Sequence, residues 1–346
     1  MLALCKVLPE IGGLSLEEVA IPEPQAGEVR VKVAFTGICG TDLHIHNWIP
    51  FASSRMKLPT ILGHEFSGVV DAIGEGVSKA SIDDFVSIES HISCGRCYTC
   101  HMGQENLCMN TRYPGVEEDG GFASYAVVPE KLIWQQSSEI TPQIAAMFEP
   151  FGIAVHASLK GRGVSGMNVL VAGCGPIGLM NIIAARALGA NRVIATDVSP
   201  VRLKQAQELG ADKVINVSDA KSNPVKTIKD MTQGNGVDVS FEYSGVPESL
   251  DLAIHATVAG GELRLIGVPA GPSLVNLEAI LLKGLTIHNI SGRKLFSSWE
   301  HASKLIRDKQ VDLNPLISHV LPLKEVERGF ELLLKGEGIK VLVQPE

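Results

Sequence analysis

"NVLVAGCGPIGLMNIIAARALGA", Asn168–Ala190, contains three successive signals. Asn168–Ala172 is a short, nearly all-apolar run, as expected of a strand buried on both faces of a parallel sheet. Gly173, Gly175 and Gly178 follow with the spacing G-x-G-x-x-G. An apolar-faced helix then runs on toward Ala190. The glycine spacing alone is a weak signal, because glycines punctuate many turns. Between a buried strand and a helix it is the context of a dinucleotide fingerprint. Gly173 would permit the tight turn, Gly175 would let the backbone approach a pyrophosphate, and Gly178 would let helix and strand pack closely. The pyrophosphate itself would sit at the positive helix N-terminus.

Downstream, the alternation continues. "RVIATDVS" reads as a strand and "PVRLKQAQELGA" as a helix, and "KVINV", "VDVSFEYSG" and "GGELRLIGVP" read as further strands. Strand alternating with helix predicts a doubly wound parallel sheet. Asp197 closes the strand after the fingerprint, 24 residues beyond Gly173. A carboxylate there would hydrogen-bond the ribose hydroxyls and repel a 2′-phosphate, which favours NAD over NADP. Arg202 follows closely, either to stack on adenine or bind phosphate, or as a solvated helix residue.

Upstream, the texture differs. "EVRVKVAFTGIC" alternates apolar and polar residues as a half-buried strand does, and "GHEFSGVVDAIGEGV" and "GGFASYAVVP" are short strands broken by glycine turns. At 346 residues the chain is longer than one core usually supports, so two domains are expected. The β-rich part should end near residue 155 and the dinucleotide-type part near 295. Residues 296–346, with helical "SSWEHASKLIRDKQ" and "LKEVERGFELLLKG" and the strand "KVLVQ", are expected to return to the first domain.

The stretch "HISCGRCYTCHMGQENLC" holds four of the seven cysteines: Cys94, Cys97, Cys100 and Cys108. The C-x2-C-x2-C-x7-C spacing brings four thiolates into one loop, within a lobe spanning about residues 91–110. Gly95 and Gly103 allow its turns. Four sulfurs fill a tetrahedral zinc shell and leave no place for substrate, so this predicts a structural zinc. The other reading is a set of free buried thiols. Cys5 and Cys174 read as packing residues.

A second donor set has mixed character. "GICGTDLHIHNW" contains Cys39, Thr41, Asp42, His44 and His46; "GHEFSG" contains His64 and Glu65; "FEPFGIAVH" contains Glu149. A catalytic zinc uses mixed ligands with one position open. Cys39 and His64 are the natural soft and borderline donors, and Glu65 or Glu149 supplies an oxygen. Taken singly, each has a bland alternative: a core cysteine, a turn histidine, an N-cap or salt-bridge glutamate.

The net charge of −8 argues against nucleic acid or an anionic membrane surface as partner. No apolar run is long enough to span a bilayer. "MLALCKVLPE" lacks the basic start and longer apolar stretch of a signal peptide. The expectation is therefore a cytoplasmic chain with reduced thiols.

Together, "GHExxG", the four-cysteine lobe and "GxGPIG" resemble the zinc-dependent medium-chain alcohol dehydrogenases, over essentially the whole chain. "ICGTDLHIHNW", "SHISCGRC", "FEPFGIAVHASL" and "GRKLFSSWEHASKLI" are similar to the threonine-oxidising members of that family. The resemblance implies a GroES-like β-rich catalytic domain, a Rossmann NAD-binding domain, and two Zn2+ sites, one catalytic and one structural. It implies catalytic zinc at Cys39, His64 and Glu65, with Glu149 as a movable or alternative ligand, and structural zinc at the four lobe cysteines. Thr41 and His44 match the family's proton-relay pair. Its cofactor contacts fall on Ile177, Asp197, Arg202, Ile266–Gly267–Val268 and Ile290–Ser291. The implied substrate is a small secondary alcohol, threonine ahead of a polyol or sugar alcohol, and the implied assembly a homotetramer or homodimer.

Two departures stand out. Ser291 and Lys294 occupy positions where threonine-oxidising relatives often have an aromatic and an acid, and Ser90 replaces a glycine often found before the histidine. His91 is either a pocket residue or a surface-loop histidine. A non-catalytic cofactor-binding relative should lack the catalytic metal set, which this chain retains. A zinc-ribbon nucleic-acid module conflicts with the acidic charge.

Overall fold

The computed structural model describes residues 1–345. Its contacts divide the chain into two units. Among the described residues, one comprises 1–150, 294–299 and 313–345, and the other 151–293 and 300–312. Strands β1 (Leu2–Lys6), β2 (Leu14–Glu18), β3 (Glu28–Gly37), β4 (Thr60–Ile61), β5 (Glu65–Ile73), β6 (Phe85–Ile88), β7 (Tyr125–Pro129) and β8 (Ile133–Gln135) belong to the first unit. The second holds β9 (Asn168–Ala172), β10 (Arg192–Asp197), β11 (Lys213–Asn216), β12 (Val237–Glu242), β13 (Thr257–Leu265) and β14 (Thr286–Asn289). Strands β15 (Ile317–Pro322) and β16 (Lys340–Gln344) return to the first unit.

The first unit is built on a seven-stranded sheet of order β15-β16-β3-β5-β6-β8, with β7 also paired to β3. The alternation in "EVRVKV" turns Val29, Val31 and Val33 into a core with Phe66, Val70 and Val86, while Lys32 faces solvent. The last three residues of β3 are all buried, because β5 and β16 flank them on both sides. That register sets Gly37 opposite Glu65 on β5 and opposite Leu342 on β16, which draws distant sequence to one point. A smaller sheet, β2-β1-β4, completes this unit.

The second unit is a fully parallel six-stranded sheet of order β11-β10-β9-β12-β13-β14. Numbered from β9, this is the 3-2-1-4-5-6 order of the dinucleotide-binding fold. The fingerprint strand lies at its centre, where Val169–Ala172 are completely buried. The order reverses between β9 and β12, so the topological switch point falls at the carboxyl end of the glycine strand.

One boundary differs from the expectation. Residues 300–312 group with the second unit rather than the first, dividing the Ser297–Arg307 helix. Trp299 is wholly buried against Trp134, Phe148 and Phe296, whereas Ala302 and Leu305 are buried beyond the boundary. Helical periodicity marks an apolar face and does not say which core that face will fill.

Candidate active site and metal centres

The four-cysteine loop turns at Gly95 and Gly103, both at positive φ. A short helix, Tyr98–His101, carries Cys100 inward. All four sulfurs lie within 4.8 Å of one another. Cys97 Sγ is 3.5 Å from Cys100 Sγ and 3.8 Å from Cys108 Sγ. The edge of a tetrahedron with bonds of about 2.3 Å is about 3.8 Å, so the spacing suits one zinc. Backbone N–H groups of Cys94 and Asn110 point at Cys108 Sγ, at 3.2 and 3.4 Å. The Thr99 hydroxyl and nearby N–H groups pull the Cys97 thiol down to about 5. Burial, then hydrogen bonding to Cys97 and Cys108, pushes Cys100 up to about 12. Four sulfurs crowded this closely are what a divalent cation would hold together, since it deprotonates the thiols it binds.

The mixed set forms in the first unit. Cys39 precedes the Gly40–His46 helix, and Asp42 Oδ2 accepts the Cys39 N–H at 2.8 Å. His64 and Glu65 lead into β5. Donor atoms of Cys39, His64 and Glu65 lie within 4.8 Å of one another. His64 is buried and its Nδ1 has no hydrogen-bond partner, being 3.9 Å from Asp42 Oδ1. A buried imidazole with a donor atom this close to a thiol and a carboxylate fits a zinc ligand. Burial opposes a proton on His64, but Cys39, Asp42 and Glu149 together outweigh it and push its pKa up to about 10. Burial raises the Cys39 thiol, and also Asp42, to about 6 in the latter case.

Glu149 stands apart from this trio. It is buried, and Oε1 accepts the Ser90 hydroxyl at 2.8 Å. Ser90, the departure noted in the sequence, thus holds the alternative ligand. Thr41 Oγ1 accepts from Cys39 Sγ at 3.8 Å, and His44 is exposed on the same helix. His91 is no surface residue: it is buried, its Nδ1 is 2.6 Å from Glu89 Oε1, and its ring meets Tyr113 edge-on.

Sequence reasoning missed Lys340. Its fully buried ammonium is ion-paired to Glu65 Oε2 and donates to the Ile38 carbonyl at 3.2 Å. Gly37 makes room: a Cβ there would lie 2.5 Å from Glu65 Oε2. The available signal was slight, a lone lysine opening the apolar strand "KVLVQ".

In the second unit, a cavity of about 730 Å³ opens at the carboxyl ends of the strands and brings together Gly173, Gly175, Asp197 and Arg202. Gly173 has φ +97°, nothing stands within 4 Å of where a Gly175 Cβ would be, and a Gly178 Cβ would lie 2.0 Å from Gly173 O. These are the three glycine roles expected: turn, open approach and tight packing. Asp197 accepts the Cys174 N–H at 2.7 Å and the Ser199 N–H at 2.8 Å, fixing its carboxylate at the cavity wall. The shape and the donors suit a dinucleotide. Ile177, Gly178, Ile266, Gly267, Val268, Ile290 and Ser291 do not line the cavity itself. Ile266 and Ile290 nonetheless follow the adjacent ends of β13 and β14, with the Ile290 N–H on the Leu265 carbonyl at 2.9 Å.

A dinucleotide sheet in one unit, and a buried thiol–imidazole–carboxylate set with a four-thiol lobe in the other, define a metal-dependent dehydrogenase. Residues 25–138 match the alcohol dehydrogenase GroES-like domain, and residues 176–308 match the zinc-binding dehydrogenase family. The L-threonine 3-dehydrogenase of Pyrococcus horikoshii is 43% identical over 344 residues, covering 99% of this chain and 98% of that one. The L-threonine 3-dehydrogenase of Bacillus subtilis is 41% identical over 334 residues, covering 96% and 95%. The structure of 2R,3R-butanediol dehydrogenase from Bacillus subtilis aligns with a TM-score of 0.91 at 30% identity, covering 100% of this chain and 99% of that one. The chain belongs to the zinc-dependent alcohol dehydrogenase family.

Proposed function

We propose that this protein oxidises the secondary alcohol of L-threonine with NAD, forming 2-amino-3-oxobutanoate, NADH and a proton. The observation that carries this reading is near-full-length similarity to two threonine dehydrogenases in a chain that keeps Cys39, His64 and Glu65 together. Cys39, His64 and Glu65 would hold a zinc, which when bound would supply Lewis-acid polarisation of the substrate hydroxyl beside an NAD that would take the hydride. Lys340 neutralises the Glu65 carboxylate and steadies it, so that Glu65 is a tethered oxygen donor and Glu149, on Ser90, the alternative. Thr41 and exposed His44 carry the hydroxyl proton outward, His44 standing at the solvent side of the same helix. Asp197 selects the unphosphorylated ribose and Arg202 lies beside it. The contacts Ile177, Ile266–Val268 and Ile290–Ser291 complete the proposed cofactor set. The four lobe cysteines hold a second, structural zinc.

The chain works in the cytoplasm on this reading, where its thiols remain reduced. It assembles as a homotetramer, or minimally a homodimer. Support comes from Leu274, Leu281 and Leu282, 99%, 78% and 77% exposed in and just before the Leu277–Lys283 helix. Apolar side chains so exposed mark a surface that associates.

The competing substrate class is a polyol, favoured by the likeness to butanediol dehydrogenase. Initial rates of NADH formation with L-threonine, sorbitol, butane-2,3-diol and a hexitol phosphate separate them. The threonine reading expects kcat/KM to be highest for L-threonine; a higher value for any polyol would replace it.

A further inference from the structure

Glu242 closes β12, and its carboxylate is buried without contributing to the metal set. Its Oε1 accepts the Ser244 N–H at 2.8 Å and the Ser244 hydroxyl at 2.5 Å. The Gly245 N–H reaches both carboxylate oxygens, at 3.1 and 3.0 Å. The backbone carbonyl of Glu242 accepts from the N–H groups of Ile266 and Gly267, at 2.9 and 2.8 Å. One residue thereby binds the turn after β12 to the turn after β13. The two turns are pressed together: a Cβ on Gly267 would lie 2.2 Å from Gly245 N and 2.7 Å from Glu242 Oε2. One on Gly245 would lie 2.5 Å from the Val268 oxygen.

The position of this clamp in the sheet gives it meaning. Tyr243, Ser244 and Val246 line the cavity, on the opposite side of the switch point from Asp197 and Arg202. In this fold one mononucleotide half lies over the first three strands and the other over the last three. Asp197 and Arg202 therefore serve the adenosine half; the 243–246 turn borders the cavity they line, and the 266–268 turn to which Glu242 ties it follows β13, in the half that takes the nicotinamide. Burying a carboxylate is unfavourable unless donors surround it. Here backbone and hydroxyl donors do so, and they belong to one turn.

We propose that Glu242 is a positioning residue for the nicotinamide half of the cofactor. It acts by fixing the 243–246 turn and, through it, the 266–268 turn. The proposal rests on the NAD reading of the cavity. Glu242 touches no reacting atom; its effect is on the shape its neighbours present. Glu242→Gln keeps the volume but replaces one acceptor oxygen with an NH2 group facing N–H donors.

The test is titration of the zinc-loaded full-length protein with NADH, followed by fluorescence, and with AMP, which occupies only the adenosine half. Glu242→Gln should bind AMP within about twofold of wild type and NADH about tenfold more weakly, the scale of one hydrogen bond to a charged acceptor. Glu242→Asp, which keeps the charge, should recover part of the NADH loss. Unchanged NADH affinity overturns the proposal, and so does an equal loss of AMP and NADH, which marks general damage to the fold. Should Glu242→Gln fail to fold, Ser244→Ala removes one donor from the same clamp and should weaken NADH about threefold with AMP intact. NADH binding unaltered by Ser244→Ala, or AMP weakened equally, overturns the proposal. Wild-type protein that binds neither NADH nor AMP would sink the NAD reading itself, and this inference with it; wild-type protein that binds both, with no selective NADH defect in the variants, sinks Glu242 alone.

Discussion

Cys39 lies at the centre of the proposed chemistry because three different groups converge on it. Its N–H is held by Asp42, its sulfur faces His64, and Glu65 approaches from β5. Cys39→Ser replaces a soft thiolate with a hard, weakly acidic hydroxyl that zinc binds poorly. Turnover should fall by at least about a hundredfold, the scale seen when metal-site partners are lost, while NADH affinity stays within about twofold. Steady-state rates beside a fluorescence titration read both, and unaltered turnover would remove Cys39 from the metal. Asp197 makes a separate point in the other unit. Asp197→Ala should narrow the preference for NAD over NADP by about tenfold or more, because a like charge is no longer set against the 2′-phosphate. The ratio of kcat/KM for the two cofactors measures it; a preference left intact would assign selection to other residues. That the lobe cysteines cluster was readable from their spacing, and that Cys39 and His64 are donor-type side chains from residue type. Lys340 was not, since the two partners are 275 positions apart and only strand pairing joins them.

At the scale of elements, the parallel sheet was legible from buried apolar runs alternating with helices, because such runs have few other uses in a chain of this length. Its inner electrostatics were not legible. Glu262 on β13 is buried, with Oε2 2.7 Å from Arg264 and Oε1 3.0 Å from Arg162. Burial by itself raises the Glu262 pKa, but the Arg264 and Arg162 hydrogen bonds outweigh it and hold the carboxyl below its ordinary value. The sign follows from linkage. A depressed carboxyl contributes stability that is fully present above its unfolded pKa of about 4.3 and is lost as pH falls through the lower folded value. Glu262→Gln should therefore destabilise the protein by about 3 kcal/mol at pH 7, leaving Arg264 buried with a weaker partner. The gap between variant and wild type should shrink as the pH is taken below about 4. Denaturant melts across that range check it; a gap that stays constant would show that the ion pair is not what Glu262 contributes.

For the molecule as a whole, the division into units and the proposed assembly go beyond any single element. Among the described residues no helix is long and apolar enough to cross a membrane. The leucines at 274, 281 and 282 are exposed, and association with a second copy is the proposed reason. The double variant Leu281→Glu, Leu282→Glu should shift sedimentation toward a smaller species, because charges in an apolar contact are left without partners. An unchanged sedimentation coefficient would locate the contact elsewhere.

Residue types at short spacing already specified the dinucleotide turn and the four-thiol lobe. Each of those depends on neighbours a few positions away, and local geometry translates such spacing directly into proximity. Strand order, by contrast, decided which oxygen joins Cys39 and His64, why Glu65 needs Lys340, where Ser90 holds Glu149, and how Glu242 ties two turns together. It also decided that residues 300–312 leave the core to which the remainder of the tail returns. These outcomes rest on contacts between segments tens to hundreds of positions apart, and only the registers of β3, β5 and β16 and the packing of the parallel sheet bring those segments within reach of one another.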